Sequence, residues 1–233
     1  MSNIPRHLAV ILDGNRRWAR EKGLPGNVGH AEGAKRIEEM CELVWNAGIE
    51  YFTVYAFSTE NWSRPDAEVS ALMRILRDYL KGCIKRAAKN NMKVRVIGDK
   101  QRLDEDIQKS IAELEEATAG YTGLKFTIAL NYGSRDEITR AVRKIGEKIE
   151  AGELAAKDIT QDMIAAGLDT AGYPDPDLLL RTSGEQRISN FLLWQCAYSE
   201  FYFTDVYWPD FDKTELEKAI EAYGRRERRY GGV

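Results

Sequence analysis

Apolar and polar positions along the chain follow two periods in turn. Short runs rich in β-branched and aromatic residues, His7 to Leu12, Tyr51 to Phe57, Lys93 to Ile97 and Lys125 to Leu130, read as strands. Between them apolar residues recur at helical spacing. His30 to Ala47 ends at Gly48, Glu68 to Asn90 is the longest, Asp104 to Thr118 stops at Gly120 and Asp136 to Ala151 stops at Gly152. Leu178 to Leu180 and Phe201 to Phe203 predict two further strands, the first after a loop-rich stretch with Pro174 and Pro176. Pro209 and a closing helix from Lys213 to about Arg226 follow. Strand and helix in turn predict right-handed βαβ crossovers, hence an α/β fold with a mostly parallel central sheet flanked by helices. No repeat, low-complexity tract or long linker interrupts the pattern, so residues 1–233 are expected to form a single domain.

In an open parallel sheet, ligands bind where loops leave the carboxyl ends of the strands, and those loops are alike in this chain. They are Asp13-Gly14-Asn15-Arg16-Arg17-Trp18, Ser58-Thr59-Glu60-Asn61-Trp62-Ser63-Arg64-Pro65, Gly98-Asp99, Asn131-Tyr132-Gly133-Ser134-Arg135 and Arg181-Thr182-Ser183-Gly184-Glu185-Gln186-Arg187. Arginines, hydroxyls and glycines converging on one edge form the composition of a phosphate site. Taken alone, Gly14 and Gly133 need only relieve turns, and Asp13 need only cap the helix that starts near Arg16. Together, a carboxylate offers oxygen to Mg²⁺ while guanidinium groups and backbone N–H donors neutralise the remaining charge of a diphosphate. No G-x-x-x-x-G-K-[ST] or G-x-G-x-x-G segment supports a nucleotide reading. On the longest helix Leu72, Ile75, Leu76, Tyr79, Leu80 and Cys83 share one face, which is either a core face or one wall of a cleft for a hydrocarbon chain; Trp18, Ala56, Phe57 and Leu124 are candidates for the rest of such a cleft.

Composition narrows the partners. A formal charge of −3, from 34 basic and 37 acidic residues, gives no global field for nucleic acid, so any anion site is local. Cys41, Cys83 and Cys196 have no metal-ligand spacing and read as buried free thiols suited to a reducing cytoplasm. Neither a signal peptide at Met1 to His7 nor a run of ~20 apolar residues is present, so a soluble, cytoplasmic protein is expected. The basic tail, Arg225 to Gly232, reads as a solvated helix end, an anionic-lipid contact or part of a subunit's active site.

With these loops assembled, His7 to Ala19 resembles the first signature of the cis-prenyltransferases. Gly29-His30 with Gly33, Tyr55 to Pro65, Asn131-Tyr132-Gly133, Arg181 to Leu192, Glu200-Phe201-Tyr202-Phe203 through Trp208-Pro209, and Arg225 to Gly232 resemble the later signatures in order. The pattern is most similar to bacterial undecaprenyl diphosphate synthases. The resemblance implies a cytosolic homodimer with a hydrophobic tunnel. It would join isopentenyl diphosphate to an allylic prenyl diphosphate such as farnesyl diphosphate, with Mg²⁺, and touch the membrane peripherally for product release. It also implies roles. Asp13 would bind Mg²⁺ and assist departure of the allylic diphosphate, held by Gly14, Asn15, Arg16, Arg17 and the supporting His30, with Trp18 beside them. Arg181, Arg187 and Ser189 would bind isopentenyl diphosphate, and Glu200 from the partner region would help hold the metal. Asn61 and Ser58 would lie near the reacting carbons, while Trp62 and Arg64 would belong to a segment that closes over substrate. Leu124 resembles the bulky floor residue of long-product enzymes.

Two rival readings remain at this level: a non-catalytic partner subunit, which the retained Asp13, Arg181, Arg187, Ser189 and Glu200 disfavour, and a phosphoester hydrolase with Asp13 as nucleophile. The chain also departs from the family pattern. Where relatives commonly carry an arginine three residues before Gly-His, it has Gly26. That place is expected to stay unfilled, lowering affinity for the allylic substrate by up to about 1.5–3 kcal/mol, whereas little would be lost if Arg20, Lys22 or Arg36 swung into it; Pro25-Gly26 also suggests a turn of special backbone shape.

Overall fold

The computed structural model describes residues 4–226; residues 1–3 and 227–233, with most of the basic tail, lie outside the described residues. Six strands, β1 (His7–Ile11), β2 (Tyr51–Ser58), β3 (Lys93–Ile97), β4 (Lys125–Tyr132), β5 (Leu178–Arg181) and β6 (Glu200–Phe203), form one sheet in the order β3-β4-β2-β1-β5-β6. Every pairing is parallel. The helices are α1 (Asn15–Glu21), α2 (Gly26–Asn46), α3 (Asp66–Lys89), α4 (Glu105–Thr118), α5 (Ser134–Glu150), α6 (Gln161–Gly167) and α7 (Lys213–Gly224).

Because successive strand side chains point to opposite faces, Leu8 and Val10 join one core and Ala9 and Ile11 another. The larger core lies between the sheet and α2, α3, α4 and α7, with Val54, Phe126, Ile128 and Leu180 from the strands meeting Met40, Val44, Leu80, Ile107 and Leu216 from the helices. The smaller one packs Tyr55, Ala129, Tyr132 and Leu179 on Phe191, Leu192 and Cys196 of the segment after β5. Each fully buried Leu, Val or Phe contributes about 1.5–3 kcal/mol. All three cysteines are buried and free, as expected, and among the described residues no helix is long and apolar enough to cross a membrane.

The chain builds outward from β1 on one side and returns to its other side with β5. The strand order therefore reverses between β1 and β5, the usual place for a ligand crevice. β2 carries a bulge in its pairing with β4 between Tyr55 and Phe57, so Ala56 leaves the ladder near the strand's carboxyl end. Two details differ from the sequence pattern. The second helix starts at Gly26 rather than His30, because Pro25, with φ −61° and ψ 146°, acts as its extended N-cap; Gly26 is therefore an ordinary first-turn residue, not a special turn. The short α6 was not anticipated: it is seven residues long, and Thr160 caps it by accepting from the Met163 N–H at 3.3 Å.

Candidate active site

Asp13 follows the end of β1, and Arg181 ends the neighbouring β5, in register with Ile11. Thr182 locks the two strand ends together: its hydroxyl oxygen accepts from the Asp13 N–H at 3.0 Å and its hydroxyl lies 2.7 Å from the Asp13 carbonyl, which also accepts from the Trp208 N–H at 3.0 Å. The backbone then turns at Gly14 with φ 99°, and a Cβ there would lie 2.6 Å from the Tyr207 ring, so both conformation and space require glycine. Asn15 opens α1 against α2. A Cβ on Gly29 would meet the Asn15 carbonyl at 2.0 Å, and one on Gly33 would meet its Oδ1 at 2.4 Å, so these glycines let α2 seat His30 at the crevice.

The Asp13 carboxylate gathers the surrounding charges. Its Oδ2 accepts from Arg181 Nη2 at 2.8 Å; its Oδ1 accepts from the Gly14 N–H at 2.7 Å and lies 3.3 Å from Arg17. Burial raises its pKa, but Arg181, the Gly14 N–H and Arg17 outweigh that and hold it below the ordinary carboxylate value. Arg181 also donates to Ser189 Oγ at 2.8 Å and to the Arg187 carbonyl. Arg17 and Arg187 share Glu185. Ser183 and Ser189 have positive φ in the segment that carries these groups; such backbone costs about 1–2 kcal/mol per residue and marks a loop held in shape by its surroundings.

Across the crevice, Glu68 at the start of α3 accepts from Arg16 and from Arg64, each at 2.9 Å, with His30 Nε2 4.0 Å away. Arg16 lies over Gly26, its Cγ 3.5 Å from where a Cβ would be. The Arg16 side chain from α1 thus packs beside the position that the sequence leaves without an arginine. Burial, then the Arg64 charge, push His30 down to about 4, so its imidazole is neutral near pH 7 and its buried Nε2 has no partner among the described residues. Ser58 and Asn61 bracket the turn after β2, where Asn61 Oδ1 accepts from the Ser58 N–H at 3.0 Å.

Beneath this polar rim lies a cavity of about 280 Å³. Asp13, Asn15, His30, Ser58, Asn61, Arg64, Arg181 and Ser189 stand on its wall, together with an apolar lower part that includes Ile37, Val54, Ala56, Phe57, Leu72, Leu76, Tyr79, Phe126 and Ile128. The long helix therefore satisfies both readings of its apolar face: Leu72, Ile75, Leu76 and Tyr79 line the cavity, while Leu80 and Cys83, further along, are core.

A polar, arginine-rich rim over an apolar chamber is what the comparisons with known proteins bring into focus. The sequence profile of the family described as "Putative undecaprenyl diphosphate synthase" matches residues 11–231. The chain belongs to that family. It is 50% identical to the isoprenyl transferase of Agrobacterium fabrum over 232 residues, covering 100% of this chain and 94% of that one. It is 51% identical to the isoprenyl transferase of Fusobacterium nucleatum, over 99% and 97% of the two chains. Among solved structures, lavandulyl diphosphate synthase from Lavandula x intermedia in complex with dimethylallyl diphosphate superposes with a TM-score of 0.95 at 38% identity, covering 98% of this chain and 99% of that one. A probable undecaprenyl diphosphate synthase from Campylobacter jejuni superposes at 0.82 with 33% identity over 100% of both. The protein is thus a cis-prenyltransferase, an enzyme that transfers prenyl groups.

In this prenyltransferase the remaining candidate residues stand apart from the chamber. Gly14, Arg16, Arg17 and Arg187 belong to the rim through the contacts above. The Trp18 indole donates to Asp210 at 2.7 Å under the Lys22 ammonium and is not on the cavity wall. Trp62 packs edge-on against Phe57 and donates to Asn131 Oδ1 at 2.7 Å, behind the wall. Leu124 is buried in the core, one step below Phe126 on the same face of the strand direction, and lies outside the lining. Glu200 opens β6 level with Leu178, whereas Asp13 lies two residues beyond the level of Arg181, so about five strand steps, roughly 16 Å, separate them within one chain. Glu200 pairs instead with Arg226. Sequence reasoning gave no role to Glu68, Glu185 or Thr182, although the latter two stand inside the quoted Arg181 to Arg187 run; Glu68 carried no signal beyond an acid in the first turn of a helix.

Proposed function

We propose that this prenyltransferase adds isopentenyl diphosphate repeatedly to an allylic prenyl diphosphate such as farnesyl diphosphate, with Mg²⁺, giving a long-chain cis-polyprenyl diphosphate. The product in this reading is undecaprenyl diphosphate, destined for a cell-wall lipid carrier; the family description and the Campylobacter jejuni neighbour support the undecaprenyl length by name. The observation that carries this reading is the rim of the crevice, where five guanidinium groups, Arg16, Arg17, Arg64, Arg181 and Arg187, are shared among the carboxylates of Asp13, Glu68 and Glu185 above an apolar chamber. An excess of cation at the rim suits diphosphates, and the chamber suits hydrocarbon. That a solved relative holds dimethylallyl diphosphate supports the allylic substrate.

The donor set fits Mg²⁺, which takes one or two carboxylates and completes its shell with substrate phosphates and water. Asp13 supplies the carboxylate; the Asn15 Oδ1, buried beside Gly33 of α2, has no partner among the described residues. When bound there, Mg²⁺ would neutralise charge on the departing diphosphate. The chain's own groups do the rest. As the allylic C–O bond breaks, negative charge grows on the leaving group, and Arg17, with neutral His30 as an N–H donor, is placed to stabilise it. Positive charge on the allylic carbon is kept from water by Ala56, Phe57 and Leu72. Arg181, Arg187 and Ser189 hold isopentenyl diphosphate so that its double bond attacks that carbon, and Asn61 with Ser58 orients the reacting ends. Loss of a proton from the adduct completes each cis double bond. The protein works as a cytoplasmic homodimer in this reading. Glu200 would then serve a second copy's site, and product release would involve peripheral contact with the membrane.

The test is incorporation of labelled isopentenyl diphosphate into solvent-extractable product with allylic primers of several lengths, with Mg²⁺ and with chelator, and the product sized by chromatography. Phosphate release without extractable product would instead support hydrolysis at Asp13.

A further inference from the structure

At the chamber's mouth the cations that would meet an allylic diphosphate already surround an anion, and it belongs to the chain. Glu68 stands in the first turn of α3, whose entry is set by Pro65 at φ −52° and ψ 137°, with the Glu68 N–H donating to the Pro65 carbonyl at 2.8 Å. That turn favours negative side chains, because its backbone N–H groups have no partners within the helix. The two carboxylate oxygens are divided between other elements. Oε2 accepts from Arg16 Nη1 of α1 at 2.9 Å, and Oε1 accepts from Arg64 Nη1, just ahead of α3, at 2.9 Å. His30 Nε2 of α2, buried and without a partner among the described residues, lies 4.0 Å from Oε1.

The carboxylate is better sheltered than the cations around it, its side chain being 17% exposed against 61% for Arg16 and 33% for Arg64. Each guanidinium gives Glu68 a single N–H. Neither contact is the two-pronged one that arginine makes with a phosphate, and the outer side of Arg16 is open to an arriving anion. Arg64 and His30 line the chamber, whereas Glu68 and Arg16 stand outside its wall, so an anion entering at the mouth meets the same groups from the opposite side. A diphosphate brings more negative charge and more oxygens than one carboxylate, and it can take both arginines only by breaking their bonds to Glu68.

We infer that Glu68 is an internal stand-in for the allylic diphosphate: it occupies Arg16 and Arg64 in the empty enzyme, competes with the head group for them, and so limits how tightly that head group is held. The inference rests on the elongation reading above and adds to it the residue that sets head-group affinity. In that reading every intermediate and the finished product carry the same allylic diphosphate as the primer. Apolar burial strengthens the hold on the molecule as its chain lengthens. Glu68 offsets part of that hold at the head, because it returns to the arginines as the diphosphate leaves.

The experiment measures binding rather than turnover. Calorimetry gives the dissociation constant of farnesyl thiodiphosphate, an allylic analogue whose bridging sulfur resists departure, for the full-length enzyme, for Glu68→Gln and Glu68→Asp, and for Arg16→Ala/Arg64→Ala with and without Glu68→Gln. Glu68→Gln keeps the side chain's shape without its charge and should bind the analogue about three- to tenfold more tightly, the combined effect of releasing two partly exposed ion pairs. Glu68→Asp keeps the charge but is too short to reach both guanidinium groups, and should tighten binding in the same direction. Without the two arginines the gain from Glu68→Gln should shrink to about twofold or less, since no contact is left to break. Unchanged or weaker binding by Glu68→Gln and Glu68→Asp would overturn the inference and make Glu68 a group that positions the arginines. A gain of the same size without the arginines would overturn it as well, by reducing Glu68 to general repulsion. Incorporation of isopentenyl diphosphate by the unaltered enzyme judges elongation separately: its absence, with the affinities in the expected order, would overturn the elongation reading and not the competition at the mouth.

Discussion

Asp13→Asn tests the centre of the site by removing one charge while keeping one oxygen. Arg181 and Asp13 have side chains only 5% and 29% exposed, with Nη2 and Oδ2 2.8 Å apart. Two unit charges about 4 Å apart attract by about 4 kcal/mol at an effective dielectric constant of ~20, and the cost of taking a guanidinium out of water consumes part of that. An asparagine amide turns an N–H donor toward Arg181, which keeps Ser189 Oγ and the Arg187 carbonyl but whose Nε has no partner. With Asp13 partly open to solvent, the net loss of stability is expected near 2 kcal/mol, or about 4–8 °C in Tm for a chain of this size. Inorganic diphosphate, which returns an anion to Arg181, should recover most of that shift in a thermal-melt titration. Turnover should fall by about 10²–10³ or more even with both substrates saturating, because the carboxylate acts mainly as the leaving group gains charge. Near-normal turnover at saturating Mg²⁺ would remove Asp13 from the chemistry. An unchanged Tm, with no response to diphosphate, would show that the ion pair contributes nothing to the fold.

Three further expectations follow from other parts of the molecule. Arg187→Ala should raise KM for isopentenyl diphosphate about tenfold and leave the allylic KM alone, a phosphate contact being worth about 1.5 kcal/mol where the side chain is exposed; the reverse pattern in steady-state kinetics would mean the two diphosphate sites are exchanged. Arg16→Ala should raise the allylic KM several-fold and Gly26→Arg on that background should restore it, whereas Gly26→Arg alone changes little because Arg16 already stands over that position; an allylic KM indifferent to Arg16→Ala would refute the substitution of one arginine for the other. His7 is buried with Nδ1–H donating to the Pro174 carbonyl at 2.7 Å and Nε2 accepting from Thr53 at 2.8 Å, and burial pushes its pKa down to about 4 from 6.5. The unfolded chain therefore binds more protons between about pH 4 and 6.5, stability rises with pH across that window by about 3 kcal/mol, and it is fully present above it; chemical denaturation at pH 5 and pH 7.5 should show a loss on acidification that His7→Gln largely removes.

The sheet and the long helices were legible because each is written by a local period, and the strand-end loops because their chemistry is contiguous. Asp13 to Arg17 and Arg181 to Ser189 each carry several candidate site residues within a short run, and parallel register brings the two runs together without further information. Elements whose definition is tertiary were not legible. Gly26 reads locally as a turn, yet α2 runs through it because Gly29 and Gly33 let that helix close on Asn15. Trp18 and Leu124 are apolar residues near strand ends, which made them candidates for the wall; Asp210 draws the first away, and the strand's direction carries the second below Phe126.

The same distinction applies at two places along the chamber, its mouth and its inner end. In both places a glycine leaves a slot and an arginine from elsewhere fills it: Arg16 over Gly26 at the mouth, and Arg86 over Gly82 at the inner end. In both, a glutamate on another helix holds the guanidinium, Glu68 of α3 for the first and Glu38 of α2 for the second. The consequences differ because the surroundings do. At the mouth the cation faces solvent and an incoming diphosphate, so its ion pair with Glu68 is one that a more highly charged partner can outcompete. At the inner end the cation faces an aromatic ring and is held by a carbonyl and a carboxylate, so the contact joins α2 to α3 as part of the packing. The first arrangement is open to an incoming anion, and the second is closed to one.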